Sequence, residues 1–387
     1  MTGIGIWRLG FRPFYLGAAF FSASAILLWI SAIFGLNGLS DSAIMPPLYW
    51  HGHEMVFGFA FAVIAGFLLT ASNNWTGMLP AAGVSLAVLF LFWATARLFM
   101  FSGYVPLAAI ADGAFAALLT ALLGRVLWLA RLWKNFALLG LVILIGVFNT
   151  WFYSILLLGL PVNALLPIEL ALLVILQLLV VMGGRVIPMF TQNGVPGITI
   201  WKPAFFSKLT PLLTALGIIG WIALPPPLAF SACLTAAVVN LLRWLGWKPW
   251  LTLKHPMVWV LQLGYFWIPV TFLSMGLDSL GLISHSLPVH ALAVGAMGLI
   301  IAGMITRTAM GHTGRPIIAS RVETVFFLLI LVSGLLRFLA GFPVIQSNDA
   351  AAYLYLLSGS CWALGFLIYG IRYTPWLCRP RLDGRPG

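Results

Sequence analysis

Apolar stretches of about eighteen residues or more follow one another along this chain, separated by short polar turns. Each is long enough to cross a hydrocarbon core of about 30 Å at a rise of about 1.5 Å per residue. Twelve are predicted, at roughly 14–36, 50–72, 80–101, 104–128, 135–159, 167–190, 209–224, 227–245, 257–277, 288–309, 322–342 and 351–372. The seventh is short and bounded by Pro211 and the run Pro225-Pro226-Pro227, so a merged or re-entrant seventh and eighth pair stays open. The longest segments between stretches cover about 191–208 and 310–321, too little for a soluble domain. The pattern predicts an all-α polytopic membrane protein, one transmembrane helical domain over residues 1–387, because backbone groups in lipid must find partners within helices.

Composition agrees: 62% of the 387 residues are hydrophobic and 7% are charged, against about 25% charged in soluble domains. Charge placement orients the chain, because cytoplasmic segments keep the Lys and Arg excess. With the N-terminus inside, eighteen of the twenty basic residues fall at the inner face, from Arg8 and Arg12, through Arg185 and Arg243, to Arg379, Arg381 and Arg385. Asp41, Asp278 and Asp349 fall in outer loops. Both termini are therefore expected in the cytoplasm. The net charge of +12 is the sum of these inner loops and needs no nucleic-acid partner; its partner is the lipid bilayer. Cys233, Cys361 and Cys378 form no disulfide framework.

The embedded ionisable residues carry the chemistry, since such groups are expensive in lipid and mark function by default. His51, His53 and Glu54 open the second stretch, and His290 opens the tenth, with His285 just before it. Asp112 lies in the fourth, Glu169 in the sixth, and Arg97 and Arg337, the two basic residues outside the inner count, lie in the third and eleventh. By depth all belong to the outer half of the bilayer, which suggests a shared polar cavity.

His53-x4-Gly58-x5-Ile64-Ala65-Gly66 aligns without gaps with His290-x4-Gly295-x5-Ile301-Ala302-Gly303. Both helices descend from outside, so the two imidazoles come to matched depth and can serve one metal. Two such ligands in an apolar cavity suit a b-type haem, with Arg97 or Arg337 as forked partners for propionates. His51 points away from His53 and, together with His285, is read as a site for a second metal, copper. The glycines lie off the His face and serve close helix packing. Gly183-Gly184-Arg185 and the run Arg307 to Pro316 read as tight turns at the inner face.

In order along the chain, Phe11-Arg12-Pro13-Phe14, Trp50-His51-Gly52-His53-Glu54-Met55, Gly183 to Asn193, and His290…Gly295…Gly298…Gly303-Met304 with Gly311-His312-Thr313-Gly314-Arg315 resemble the NnrS family. That resemblance implies a bacterial inner-membrane protein associated with haem and copper, linked to nitric oxide metabolism and resistance to nitrosative stress. Its partners would be nitric oxide or nitrosylated iron species; composition and spacing alone supply no nitric oxide. The layout is also similar to that of haem–copper oxidases, but spans six to eight hold no His, so their His-rich copper site is missing. A proton-coupled secondary transporter using Glu54, Asp112 and Glu169 is the alternative reading, and an assembly protein passing haem or metal to a partner is a third.

Overall fold

The computed structural model describes residues 5–36, 45–346 and 350–384. Asp41, Asp349 and Arg385, counted above in the charge balance, lie outside the described residues. Among those described, twelve helices are long and apolar enough to cross a membrane. The first six are α1 (Phe11–Ile33), α2 (Pro47–Thr76), α3 (Val84–Phe101), α4 (Val105–Leu129), α5 (Trp133–Leu158) and α6 (Leu165–Gly194). They are followed by α7 (Phe206–Ala223), α8 (Pro226–Gly246), α9 (Pro256–Ser279), α10 (Ser286–His312), α11 (Arg321–Leu339) and α12 (Ala350–Leu377). This is a multi-pass membrane protein.

Local chemistry sets the helix ends. Pro occupies the first turn of α2, α8 and α9, where its missing N–H costs nothing. Gly77 and Gly159 close α2 and α5 in the left-handed conformation, at φ of +69° and +62°. Ser320 and Glu323 form a capping box at the start of α11.

Three readings are refined. The seventh and eighth stretches form two separate helices, not one broken one. Gly217 and Gly220 of α7 face Ala236 and Ala232 of α8 so closely that an added Cβ would stand 2.7 and 2.6 Å from those methyl groups. Such small-residue contacts hold helices together without help from the hydrophobic effect. Gly183-Gly184-Arg185 is not a turn: α6 runs through it, and through Pro188, to Gly194. Likewise α10 continues past Arg307 to His312, and the left-handed turn comes at Gly314.

Helices α2 and α10 share an irregularity. Glu54–Ala60 and Ala291–Met297, seven residues each, are π-helical, and each begins just after its histidine. π segments are frequent at functional sites.

The helices group into two compact units. One contains residues 1–174, 307–316 and 366–387, the other 175–306 and 317–365. In the first, Gly66 of α2 packs against Phe11, Phe14 and Tyr15 of α1; in the second, Gly303 of α10 packs against Val260 and Leu261 of α9. The glycines thus seat neighbouring helices, as their position off the His face predicts.

Candidate functional site

The first unit buries a polar cluster at the start of α2. His53 is 0% exposed, Glu54 and Asp112 1%, and Arg97 5%. Arg97, four residues before the end of α3, reaches across with both terminal nitrogens. Its Nη1 donates to Glu54 Oε1 at 2.8 Å and its Nη2 to the Asp112 carboxylate of α4. Tyr153 of α5 donates to Asp112 Oδ2 at 2.7 Å. The His53 ring lies among Phe57, Phe152 and Tyr153, with centroids 4.6 to 5.1 Å away.

Both nitrogens of that ring have protein partners. Nδ1 donates to Glu54 Oε1 at 2.8 Å, and Nε2 faces Asn149 Oδ1 at 2.9 Å. Asn149 accepts from an imidazolium or, with its amide turned over, donates to a neutral ring. Glu54 Oε2 and Arg97 Nε are enclosed without a hydrogen-bond partner among the described residues.

The second unit carries a smaller constellation at the start of α10. His290 Nδ1 lies 2.8 Å from the Ser286 carbonyl one turn earlier. That bond makes Nδ1 the protonated nitrogen and Nε2 the basic one, the tautomer a metal-binding imidazole needs. Arg337, near the end of α11, donates from Nη2 to Ser286 Oγ at 2.7 Å, and the same nitrogen stands 3.1 Å from His290 Nδ1. The Tyr355 ring of α12 lies 4.8 Å from the guanidinium carbon.

The structure therefore gathers His53, Glu54, Arg97 and Asp112 in one unit, and His290 with Arg337 in the other. His51 and His53 diverge as their spacing predicts: His51 stacks on Trp29 at 4.5 Å. His285 stacks on Trp221 at 5.1 Å and pairs with Asp278 at 3.0 Å. His51 and His285 belong to different units, and among the described residues no three of His, Cys, Asp and Glu converge as metal donors. Glu169 is half-buried on α6.

Two haem expectations meet this geometry differently. His290 has the tautomer that a metal-binding imidazole needs, with its Nδ1–H on the Ser286 carbonyl. His53 does not fit as it stands, because either Asn149 or Glu54 would have to give up a ring nitrogen to iron. Arg97, expected as a forked partner for a propionate, is matched within the protein by two carboxylates, Glu54 and Asp112.

Sequence reading missed Asn149, Tyr153, Ser286 and Tyr355, uncharged residues without a distinctive spacing. It also put Arg243 in an inner loop. In fact Arg243 is buried on α8, donating to the Val180 carbonyl at 3.1 Å and the Tyr265 hydroxyl at 3.3 Å. Its guanidinium occupies the space where Gly184 lacks a side chain; a Cβ there would stand 1.8 Å from Nη2. The glycine pair was the available signal. Arg12 is also buried, with Nη1 donating to the carbonyls of Leu377 and Arg379 at 2.8 and 2.7 Å.

No curated protein sequence matches the chain. A family model described as NnrS protein matches residues 5–381, a span that takes in every helix and both polar clusters, and the chain belongs to the NnrS family.

Proposed function

We propose that this protein acts in nitric oxide metabolism and protects bacteria against nitrosative stress, as a haem-containing protein of the cytoplasmic membrane. Membership of the NnrS family over residues 5–381 is the observation that carries this reading. The ring geometry of His290 supports the haem. Its Nδ1–H is committed to the Ser286 carbonyl, which makes Nε2 the basic nitrogen, the tautomer that ligating histidines adopt. Bound haem would supply the iron at which nitric oxide binds. The chain's own contribution is to fix the ring tautomer and keep the surroundings apolar. His53 joins as second ligand only by exchanging a hydrogen bond that it makes now, so the two histidines are expected to differ in importance. Copper, proposed on His51 or His285, has weaker support, since each ring is stacked on a tryptophan.

The test is the absorption spectrum of the purified full-length protein, oxidised, reduced with dithionite, and exposed to nitric oxide. A Soret band that shifts with nitric oxide is expected in the wild type and is expected to disappear in His290→Ala. A colourless wild type that moves a solute into liposomes would instead establish the secondary transporter. Full haem retention in His290→Ala would remove His290 as the ligand.

A further inference from the structure

The polar clusters of the two units are versions of one device. In each, a histidine precedes a seven-residue π segment, and an arginine near the end of the following helix reaches back to the turn that carries the histidine. Arg97 stands 44 residues after His53 and Arg337 stands 47 after His290. The helix after that then supplies a partner, Asp112 on α4 or Tyr355 on α12. Each π segment is also held by its arginine's own helix: Trp93 donates to the Gly58 carbonyl at 2.8 Å, and Gly334 sits against Gly295.

The versions differ in charge. Arg97 is matched by Glu54 and Asp112. At the positions corresponding to those carboxylates, the second device has Ala291 and an aromatic ring. The polar and aromatic contacts of Arg337 are a serine hydroxyl, an imidazole and Tyr355, and among the described residues no carboxylate forms an ion pair with it. The Nη1 group is enclosed without a hydrogen-bond partner among the described residues. A snorkelling arginine keeps its tip in water; this one does not, since its Nη1 is enclosed. Its Nη2 uses Ser286 Oγ and stands beside a protonated imidazole nitrogen, which adds positive potential.

We infer that Arg337 Nη1, with Ser286 and His290 beside it, is an anion-binding site, filled from outside the chain where the first unit fills its own. A single guanidinium in low dielectric selects a monoanion with oxygen acceptors, a carboxylate or a small oxyanion such as nitrite or nitrate. The anion comes from solution or is the carboxylate arm of a bound cofactor. The site stands whether or not haem is present, because the unmatched charge belongs to the protein.

The test uses full-length protein in detergent, in wild-type, Arg337→Gln and Arg337→Lys forms. Thermal unfolding is followed as acetate, nitrite or nitrate replaces bulky gluconate at constant ionic strength, and haem per polypeptide is measured alongside. A solution anion gives a saturable rise in Tm of about 1–3 °C in the wild type. The rise is absent in Arg337→Gln and needs more anion in Arg337→Lys. A cofactor carboxylate gives no such rise in the wild type; haem content then falls at least about twofold in Arg337→Gln and is retained in Arg337→Lys. Equal anion responses and equal haem content in wild type and Arg337→Gln would overturn the site. If Arg337→Gln does not fold, an unchanged half-saturating anion concentration together with unchanged haem content in Arg337→Lys overturns it as well. A chain without haem in any form removes the haem reading and leaves the anion titration to decide.

Discussion

An arginine in the middle of an apolar chain is tolerable when its charge is cancelled where it lies. Arg97 meets that condition through two carboxylates on different helices, so α2, α3 and α4 are tied by one guanidinium. Breaking a buried pair by removing one partner costs about 3–5 kcal/mol, since it strands the other charge. Arg97→Met is therefore expected to lower stability by about that amount. Arg97→Met combined with Glu54→Gln and Asp112→Asn is expected to recover more than half of it, because no charge is then stranded. Chemical unfolding of the three forms in detergent checks this; equal losses in the single and triple variants would contradict it. At this scale the sequence disclosed which residues mattered but not how they pair. Rarity of charge picked out His53, Glu54, Arg97 and Asp112, and depth placed them together. Direction was out of reach: nothing in the spacing says that Arg97 turns to Glu54, or that Asn149 claims the second nitrogen of His53.

Helix contacts here depend on glycines that face bulky partners. At Gly295 an added Cβ would stand 2.4 Å from the buried ring of Trp267, which has no room to retreat because Phe338 packs against it. Gly295→Ala is expected to cost about 1–3 kcal/mol by overpacking. Gly113 of α4 has nothing within 4 Å of the same added atom, so Gly113→Ala is expected to be neutral or to stabilise by up to about 1 kcal/mol. Thermal unfolding of the two variants, compared at equal detergent, distinguishes them. The glycines were legible as packing positions because they fall off the histidine face. The π segments were not legible, since apolar periodicity assumes 3.6 residues per turn. The role of Gly183 and Gly184 was misjudged for another reason: glycine reads as a helix breaker, whereas here the pair lies within α6 and makes way for Arg243.

For the whole molecule, hydropathy alone located all twelve helices to within a few residues, because lipid allows so few alternatives. Charge predicts the orientation. With the N-terminus inside, the loop between α3 and α4 is external and the loop between α6 and α7 is internal. In a cysteine-free background, Ser102→Cys is expected to react with an impermeant maleimide in intact spheroplasts, and Thr199→Cys only after lysis. The reverse pattern would invert the topology. The division into two units was not legible as such, though its trace was: the matched segments around His53 and His290 fall one in each unit. Their partners on the next helices, Arg97 and Arg337, match in position but not in surroundings, which a linear comparison cannot register.

The stretch from each histidine to its Ile-Ala-Gly triplet covers eleven residues in both copies, yet the intervening letters agree only at Gly58 and Gly295. The spelling of the stretch is free and its length is not. Removing one residue from 61–63, where the winding is ordinary, would swing the leading end by about 100°. Glu54 would be carried away from Arg97, with hydropathy almost unchanged. Substitutions in this stretch are thus corrections to a word, while a single deletion moves the whole sentence out of register.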